Sequence, residues 1–238
     1  MKKGRHLIFA LGLIVLFVMA AGMPGPARGE QPGTIWAGPG AKHAVAISFD
    51  DGPSSRYTLK ILALLKQYQA HATFFVLGCK VEKYPGLVKA MLKGGHEVGN
   101  HTYEHPRLPK CDQQAREREI EKTNLDLDLL GCPREKRLLR PPYSAFDDRL
   151  VSYLAHTGRR IALWSLDSGD WKGLDAVTIV ANVLSRVKNG SIIIFHEGDG
   201  TKKHADRGST VEALKVILPA LQEAGYQMVT ISELVANP

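Results

Sequence analysis

The sequence predicts an α/β fold organised around a parallel sheet. From about residue 43 onward, short apolar runs alternate with amphipathic helical stripes some seven times. The apolar runs are continuous, as in strands covered on both faces. Polar and aromatic residues with chemical potential follow directly on the ends of these runs, where the active sites of parallel α/β folds gather. A doubly wound sheet and a (β/α) barrel both satisfy this order. Seven units in about 195 residues are fewer and shorter than a regular eight-unit barrel contains.

The chain opens with basic "MKKGRH", a wholly apolar run from Leu7 to Ala21 and the turn-rich "GMPGPARGEQPG". Residues 1–30 thus have the layout of an export signal, with an N-terminal membrane anchor through Leu7–Ala21 as the rival. Either places the remainder outside the cytoplasm, secreted or tethered to the outer side of the membrane. Residues 31–42 read as a linker and 43–238 as one catalytic domain.

"AVAISF" (44–49) is the first strand and ends on Asp50 and Asp51, with Gly52 and Pro53 breaking the chain. Ile61, Leu62, Leu65 and Tyr68 form the first helical stripe. "ATFFVL" (72–77) is the second strand, followed by a stripe of Leu87, Val88, Met91 and Leu92. "HEVGN" (96–100) is the third and leads into His101 and His105. A long helix lies between Cys111 and Cys132, with Ile120, Leu127 and Leu130 on one face and Gly131 and Pro133 as its stop. "RLLR" (137–140) runs into Arg140-Pro-Pro-Tyr143. "RIALWS" (160–165) precedes Asp167, Asp170 and Trp171, and "SIIIF" (191–195) precedes His196. Val211, Leu214, Leu218 and Leu221 make the last stripe, and "YQMVT" (226–230) the last strand.

Formal net charge is +7, of which residues 1–30 contribute +3. The remaining mild excess suits a solvated surface, and no basic block with interleaved aromatics points to nucleic acid. Three cysteines are an odd number for an exported chain. A straight helix between Cys111 and Cys132 holds its ends roughly 30 Å apart, too far for a disulfide. Cys79 with Cys111, or three free thiols, remain.

His101 and His105 are four residues apart, which in a helical turn puts both imidazoles on one face, a metal-ligand spacing. With a carboxylate they make a set suited to Zn²⁺ or its first-row neighbours. Two adjacent aspartates then have a rationale: one ligates, the other acts as base, and a cation offsets their repulsion. Strand alternation sends neighbours to opposite faces, so both reach one pocket only where the strand is already ending. His43, His71, His96, His156 and His204 have no carboxylate at ligand spacing and read as structural or surface residues. Trp164 fits core or sugar platform equally. The polar loop 199–208 reads as solvated by default, with a place at the border of the groove as the alternative.

"SFDDGP", "NHTYEHP", "RPPY", "DSGDW" and "IIIFHEG", in this order, resemble the five motifs of the NodB-homology polysaccharide deacetylases, carbohydrate esterase family 4. The resemblance covers nearly all of 44–235. It implies a distorted (β/α) barrel of about seven parallel strands that removes N-acetyl groups from amino sugars with the help of one divalent metal ion. Zinc is the first choice for that ion, with Co, Ni or Mn as others. By this resemblance Asp50 is the catalytic base, oriented by Arg140, and Asp51, His101 and His105 are the metal ligands. His196 is the general acid, with Asp170 as its carboxylate partner. The backbone N–H of Tyr143 helps hold the oxyanion, and Trp171 lines the acetyl pocket. Two positions depart from the family pattern. Ser48 stands for Thr, and Phe195-His196-Glu197 stands where Leu precedes the His and Asp follows. Phe195 is accordingly expected to narrow the acetyl pocket or shift its shape. The expected substrate is a polysaccharide of N-acetyl amino sugars, peptidoglycan first and chitin-type oligomers second. An O-acetyl esterase on a glycan such as acetylxylan, a non-catalytic glycan-binding protein and a non-haem iron oxygenase are the alternatives.

Overall fold

The protein is described by a computed structural model covering residues 33–134, 137–203 and 205–236. The expected leader and His204 lie outside the described residues.

The central strand is β2 (Ala44–Gly52), all nine of whose residues are buried. It pairs in parallel with β3 (Ala72–Val76) on one side and β7 (Ile192–His196) on the other, and its first residues pair with β8 (Gln227–Val229). β4 (Glu97–Asn100) extends the sheet beyond β3, and β6 (Leu166–Asp167) extends it beyond β7. β1 (Thr34–Ile35) pairs in parallel with β5 (Ile161–Ala162). Single bridges join Asn100 to Leu139 and Leu139 to Ile161. The order therefore runs from β6 through β7, β2 and β3 to β4, and by the single bridges of Leu139 on to β5, which no ladder among the described residues joins to β6. It is the strand order of a distorted barrel that is not closed by a continuous ladder.

Helices connect the strands: α1 (Thr58–Gln67), α2 (Gly78–Lys83), α3 (Pro85–Lys93), α4 (Gln113–Leu129), α5 (Asp148–His156), α6 (Ala176–Leu184), α7 (Gly208–Glu223) and α8 (Ile231–Val235). Alternation sorts the strand residues. Val45, Ile47 and Phe49 of β2, with Ile193 and Phe195 of β7, face α1, α6 and α7 in the main core. Ala44 and Ala46, with Ile192, belong to a second cluster closed by Ile231 and Leu234 of α8. Ser48 and Asp50 continue that second face toward the C-terminal end of the barrel, and these small residues leave room for a buried side chain from elsewhere.

That side chain is Arg140, fully buried. Its Nε and Nη2 donate to the carbonyls of Ala162 and Leu163, each at 3.0 Å. Its guanidinium lies 4.0 Å over the Phe75 ring. This explains two departures from expectation. The strand expected at 137–140 shrinks to the bridges of Leu139 and the one expected at 160–165 to β5, because the carbonyls of Ala162 and Leu163 serve Arg140, and β6 follows beyond it. Residues 31–42, expected to be a linker, supply β1, so the folded unit reaches back to Thr34. All three cysteines are free, with α4 separating Cys111 from Cys132.

Candidate active site

The doubled aspartate is resolved by a bulge. β2 stays in register with β3 to Asp50 and shifts before Gly52. Asp51, at φ 67°, occupies the left-handed region, which a non-glycine residue enters rarely. The bulge turns both adjacent carboxylates into one cavity instead of sending them to opposite faces. The histidines arrive differently from expectation. The stretch 101–107 is a loop and not a helical turn, with Thr102 and His105 themselves at positive φ (71° and 64°).

Three acceptor atoms converge. Asp51 Oδ1 lies 3.2 Å from His105 Nε2 and 3.5 Å from His101 Nε2. His101 Nδ1 is 2.7 Å from the carbonyl of Arg140, which can only accept, so the proton sits on Nδ1 and the Nε2 lone pair faces Asp51. His105 Nδ1 meets the Tyr143 hydroxyl at 3.2 Å, freeing its Nε2 likewise. Asp51 Oδ1 is buried and has no hydrogen-bond partner. Burial first, and then the neighbouring His101, push His105 down to about 4. Burial raises the Asp51 carboxyl, but His101 first, then His196 and His105, hold it well below the usual carboxylate range. A neutral imidazole, a second imidazole with its lone pair turned inward and an ionised carboxylate with an orphaned oxygen fit a divalent cation. Among the described residues this is the group whose ligand atoms gather within 4.8 Å of one another.

Asp50 stands beside this cluster, 3.8 Å from His101 Nε2 through Oδ2. Its Oδ1 accepts from Arg140 Nη1 at 2.7 Å. Nη1 also donates to Ser48 Oγ at 3.0 Å, and Ser48 in turn donates to the Ile193 carbonyl at 2.9 Å. Ser48, the departure from Thr, thus keeps the hydroxyl that braces the arginine.

β7 brings His196 into register with Asp50. Asp170 holds it twice, accepting from the His196 backbone N–H and pairing with Nδ1, both at 2.8 Å. Burial disfavours the imidazolium, but Asp170, helped by Asp50 and Asp51, raises His196 to about 9. Burial also raises Asp170, and the charge of His196 brings it below its ordinary value. Thr210 donates to Asp170 Oδ2 at 2.9 Å, and Arg207 donates to the Gly198 carbonyl at 2.7 Å.

A cavity of ≈ 350 Å³ joins these groups, walled by Asp50, Asp51, His101, His105, His196, Tyr143, Trp164, Trp171 and Ile194. Tyr143 and Trp171 are 59% and 52% exposed, so their rings form an open rim that a polymer can reach. Trp171 is steadied by its Nε1 donating to Asp167 at 3.2 Å. Asp199 and Arg207 also line the cavity, which favours the alternative that this polar stretch borders the groove.

The expectation for Phe195 is corrected. Its ring is fully buried and stacks 5.8 Å from Phe49 in the main core. Adjacent strand residues point oppositely, so if His196 faces the cavity, Ile194 shares its face and Phe195 cannot. That rule is readable in the sequence and identifies Ile194 as the pocket wall. Thr210 and Arg207 gave no comparable signal, because an apolar stripe says nothing of what its polar neighbours hold.

A parallel α/β barrel whose strand ends present a carboxylate acceptor, a candidate metal cluster and an imidazolium donor defines a hydrolase. The chain belongs to the polysaccharide deacetylase family, whose model matches residues 37–162. It is similar to a peptidoglycan-N-acetylglucosamine deacetylase of Bacillus cereus, 39% identical over 202 residues that span 85% of this chain and 72% of that protein. The crystal structure of the Bc1960 peptidoglycan N-acetylglucosamine deacetylase superposes with a TM-score of 0.80 at 36% identity, covering 87% of this chain and 94% of that one. A family 4 pseudoenzyme from Bacillus anthracis shares the fold at a TM-score of 0.76 and 27% identity, over 86% of this chain and 69% of that one. The scaffold therefore does not guarantee catalysis, and activity has to be argued from the residues of this cavity.

Proposed function

We propose that the protein is a divalent-metal-dependent deacetylase that removes N-acetyl groups from the N-acetylglucosamine or N-acetylmuramic acid of peptidoglycan, outside the cytoplasm. The observation that carries this reading is the convergence of Asp51, His101 and His105 beside the Asp50–Arg140 pair, with His196, backed by Asp170, lining the same cavity. The naming of relatives as peptidoglycan deacetylases supports the substrate, and the basic-apolar leader supports export.

Asp51 Oδ1 and the Nε2 atoms of His101 and His105 would hold the ion, zinc by preference for this donor set. A bound divalent cation polarises the amide carbonyl and acidifies water, which makes a weak base sufficient. Asp50, aimed by Arg140, accepts the proton of the attacking water. The backbone N–H of Tyr143 helps neutralise the oxyanion. His196, protonated through its pairing with Asp170, gives its proton to the leaving amine nitrogen, so one proton is taken and one returned. Trp171, Tyr143 and Ile194 wall the place of the acetyl group.

The test measures acetate released from purified peptidoglycan, acetylated chitooligosaccharide and acetylxylan. Release from the first, lost on chelation and restored by zinc, is the expected result. Asp50→Asn is expected to lower turnover by about 10²–10⁴ while zinc stays bound, and His101→Ala to lose zinc. Release from acetylxylan alone assigns an O-acetyl esterase. No release from any glycan, with glycan still bound, assigns a pseudoenzyme.

A further inference from the structure

Asp51 holds a left-handed backbone conformation that is unfavourable for a non-glycine residue, and such geometry persists only where the surroundings over-determine it. The flanking carbonyls are taken by main chain. Glu197 N–H donates to Asp50 O at 3.0 Å, and Leu77 N–H donates to Gly52 O at 2.9 Å. The Asp51 carbonyl, turned out of the ladder by the bulge, is caught by a side chain. Lys80, in the short helix α2, donates from Nζ to Asp51 O at 2.8 Å.

The space around this contact is cleared on the opposite side. A Cβ on Gly198 would lie 2.3 Å from Asp51 O and 2.8 Å from Lys80 Nζ. A Cβ on Gly52 would lie 1.7 Å from Glu197 Oε1. Both glycines leave room for the bulge and its support. Asp51, Glu197 and Asp199 are the carboxylates that act on the Lys80 ammonium, with the Cys79 thiol beside them.

We propose that Lys80 is a positioning residue. Its hydrogen bond to the Asp51 carbonyl locks the bulge that turns Oδ1 toward His101 and His105, and so sets the affinity of the site for a divalent cation. This rests on the reading of Asp51, His101 and His105 as the cation's ligands. Two effects of removing Lys80 have opposite signs. By charge alone, deleting an ammonium near a cation site tightens cation binding. Loss of positioning loosens it, by about 10–100-fold for outer partners of metal ligands.

The experiment titrates metal-free, full-length protein with Zn²⁺ in a calorimeter, with thermal melts of each metal-free variant alongside. Lys80→Met, similar in length but without donor or charge, is expected to weaken zinc binding by about 10–100-fold. Lys80→Arg, which keeps both, is expected to stay within about 3-fold of the parent. Lys80→Leu, which also lacks donor and charge, is expected to weaken zinc binding too, and it decides the matter should Lys80→Met fail to fold. Zinc bound equally or more tightly by Lys80→Met, or by Lys80→Leu where the first variant is unfolded, overturns the proposal. So does Lys80→Arg binding as weakly as Lys80→Met. Parent protein that binds no divalent ion overturns the metal reading and this one with it. Parent binding with undiminished variant binding overturns this one alone.

Discussion

At the scale of single residues, the site works by giving each charged group one defined partner. Arg140 spends one donor on Asp50, and its other bonds to Ser48, Ala162 and Leu163 fix where that donor points. His196 has Asp170 at Nδ1, which leaves Nε2 as the atom that can meet a leaving group. Because Asp170 supplies the largest lift that brings His196 to about 9, Asp170→Asn removes that lift. The alkaline limb of kcat/KM, which reports loss of the proton donor, is expected to move down by at least about 1 pH unit, with kcat at neutral pH lower by about 10–100-fold. Rate profiles between pH 5 and pH 10 check this, and an unmoved alkaline limb excludes His196 as the donor. The motif residues were legible because chemistry restricts them to a few types. Their supports were not. Thr210 and Lys80 act through single bonds to Asp170 and Asp51, and a hydroxyl or an ammonium on a helix has many surface explanations.

At the scale of elements, the strand ends carry the site and the strand faces divide labour. β2, β3 and β7 were legible because continuous apolar runs have few other fates. β1 and β6, two residues each, were not, because so short a pairing carries too little pattern to read, and β5 is only a two-residue part of the run 160–165. α5 and α6 went unread although each carries an apolar stripe, Leu150 with Leu154 and Ile179 with Val183, because nine residues repeat that stripe only once. On β7 the alternation makes a paired prediction. Phe195→Leu is expected to cost about 1–2 kcal/mol of stability with KM unchanged, since the ring packs on Phe49 away from the cavity. Ile194→Phe is expected to raise KM by roughly 10-fold, the effect of overfilling a close-packed wall. Thermal melts and steady-state kinetics of the two variants separate these effects. A KM change in Phe195→Leu alone restores the pocket role first expected for that residue.

At the scale of the whole molecule, buried titratable groups link folding to pH, and His96 gives the cleanest case away from the site. It is 7% exposed, its Nδ1 accepts the Ala72 N–H at 3.2 Å, and it stands edge-on to Phe74 at 5.4 Å. Burial and then His71 push it down from 6.5 to about 4. Between those values the unfolded chain binds a proton that the native protein refuses, so stability falls as pH falls, by up to about 3 kcal/mol. His196 has the opposite sign: its contribution is complete below its unfolded value near 6.5 and is lost as pH rises through about 9. Glu197, raised by burial to about 7, also loses its contribution as pH rises, between its unfolded value of 4.5 and about 7, and so opposes His96 in the acid range. The total slope therefore mixes signs, whereas a difference between two proteins does not. His96→Gln keeps an acceptor for Ala72 but cannot be charged. Its stability deficit against the parent is expected to be constant above about pH 7 and to shrink toward pH 4, as the parent alone loses the histidine's share. Urea unfolding of metal-free parent and variant across that range measures the difference directly. A deficit that stays constant down to pH 4 means that His96 is charged as readily in the folded protein as outside it, and that the Ala72 contact at the start of β3 does not hold it neutral.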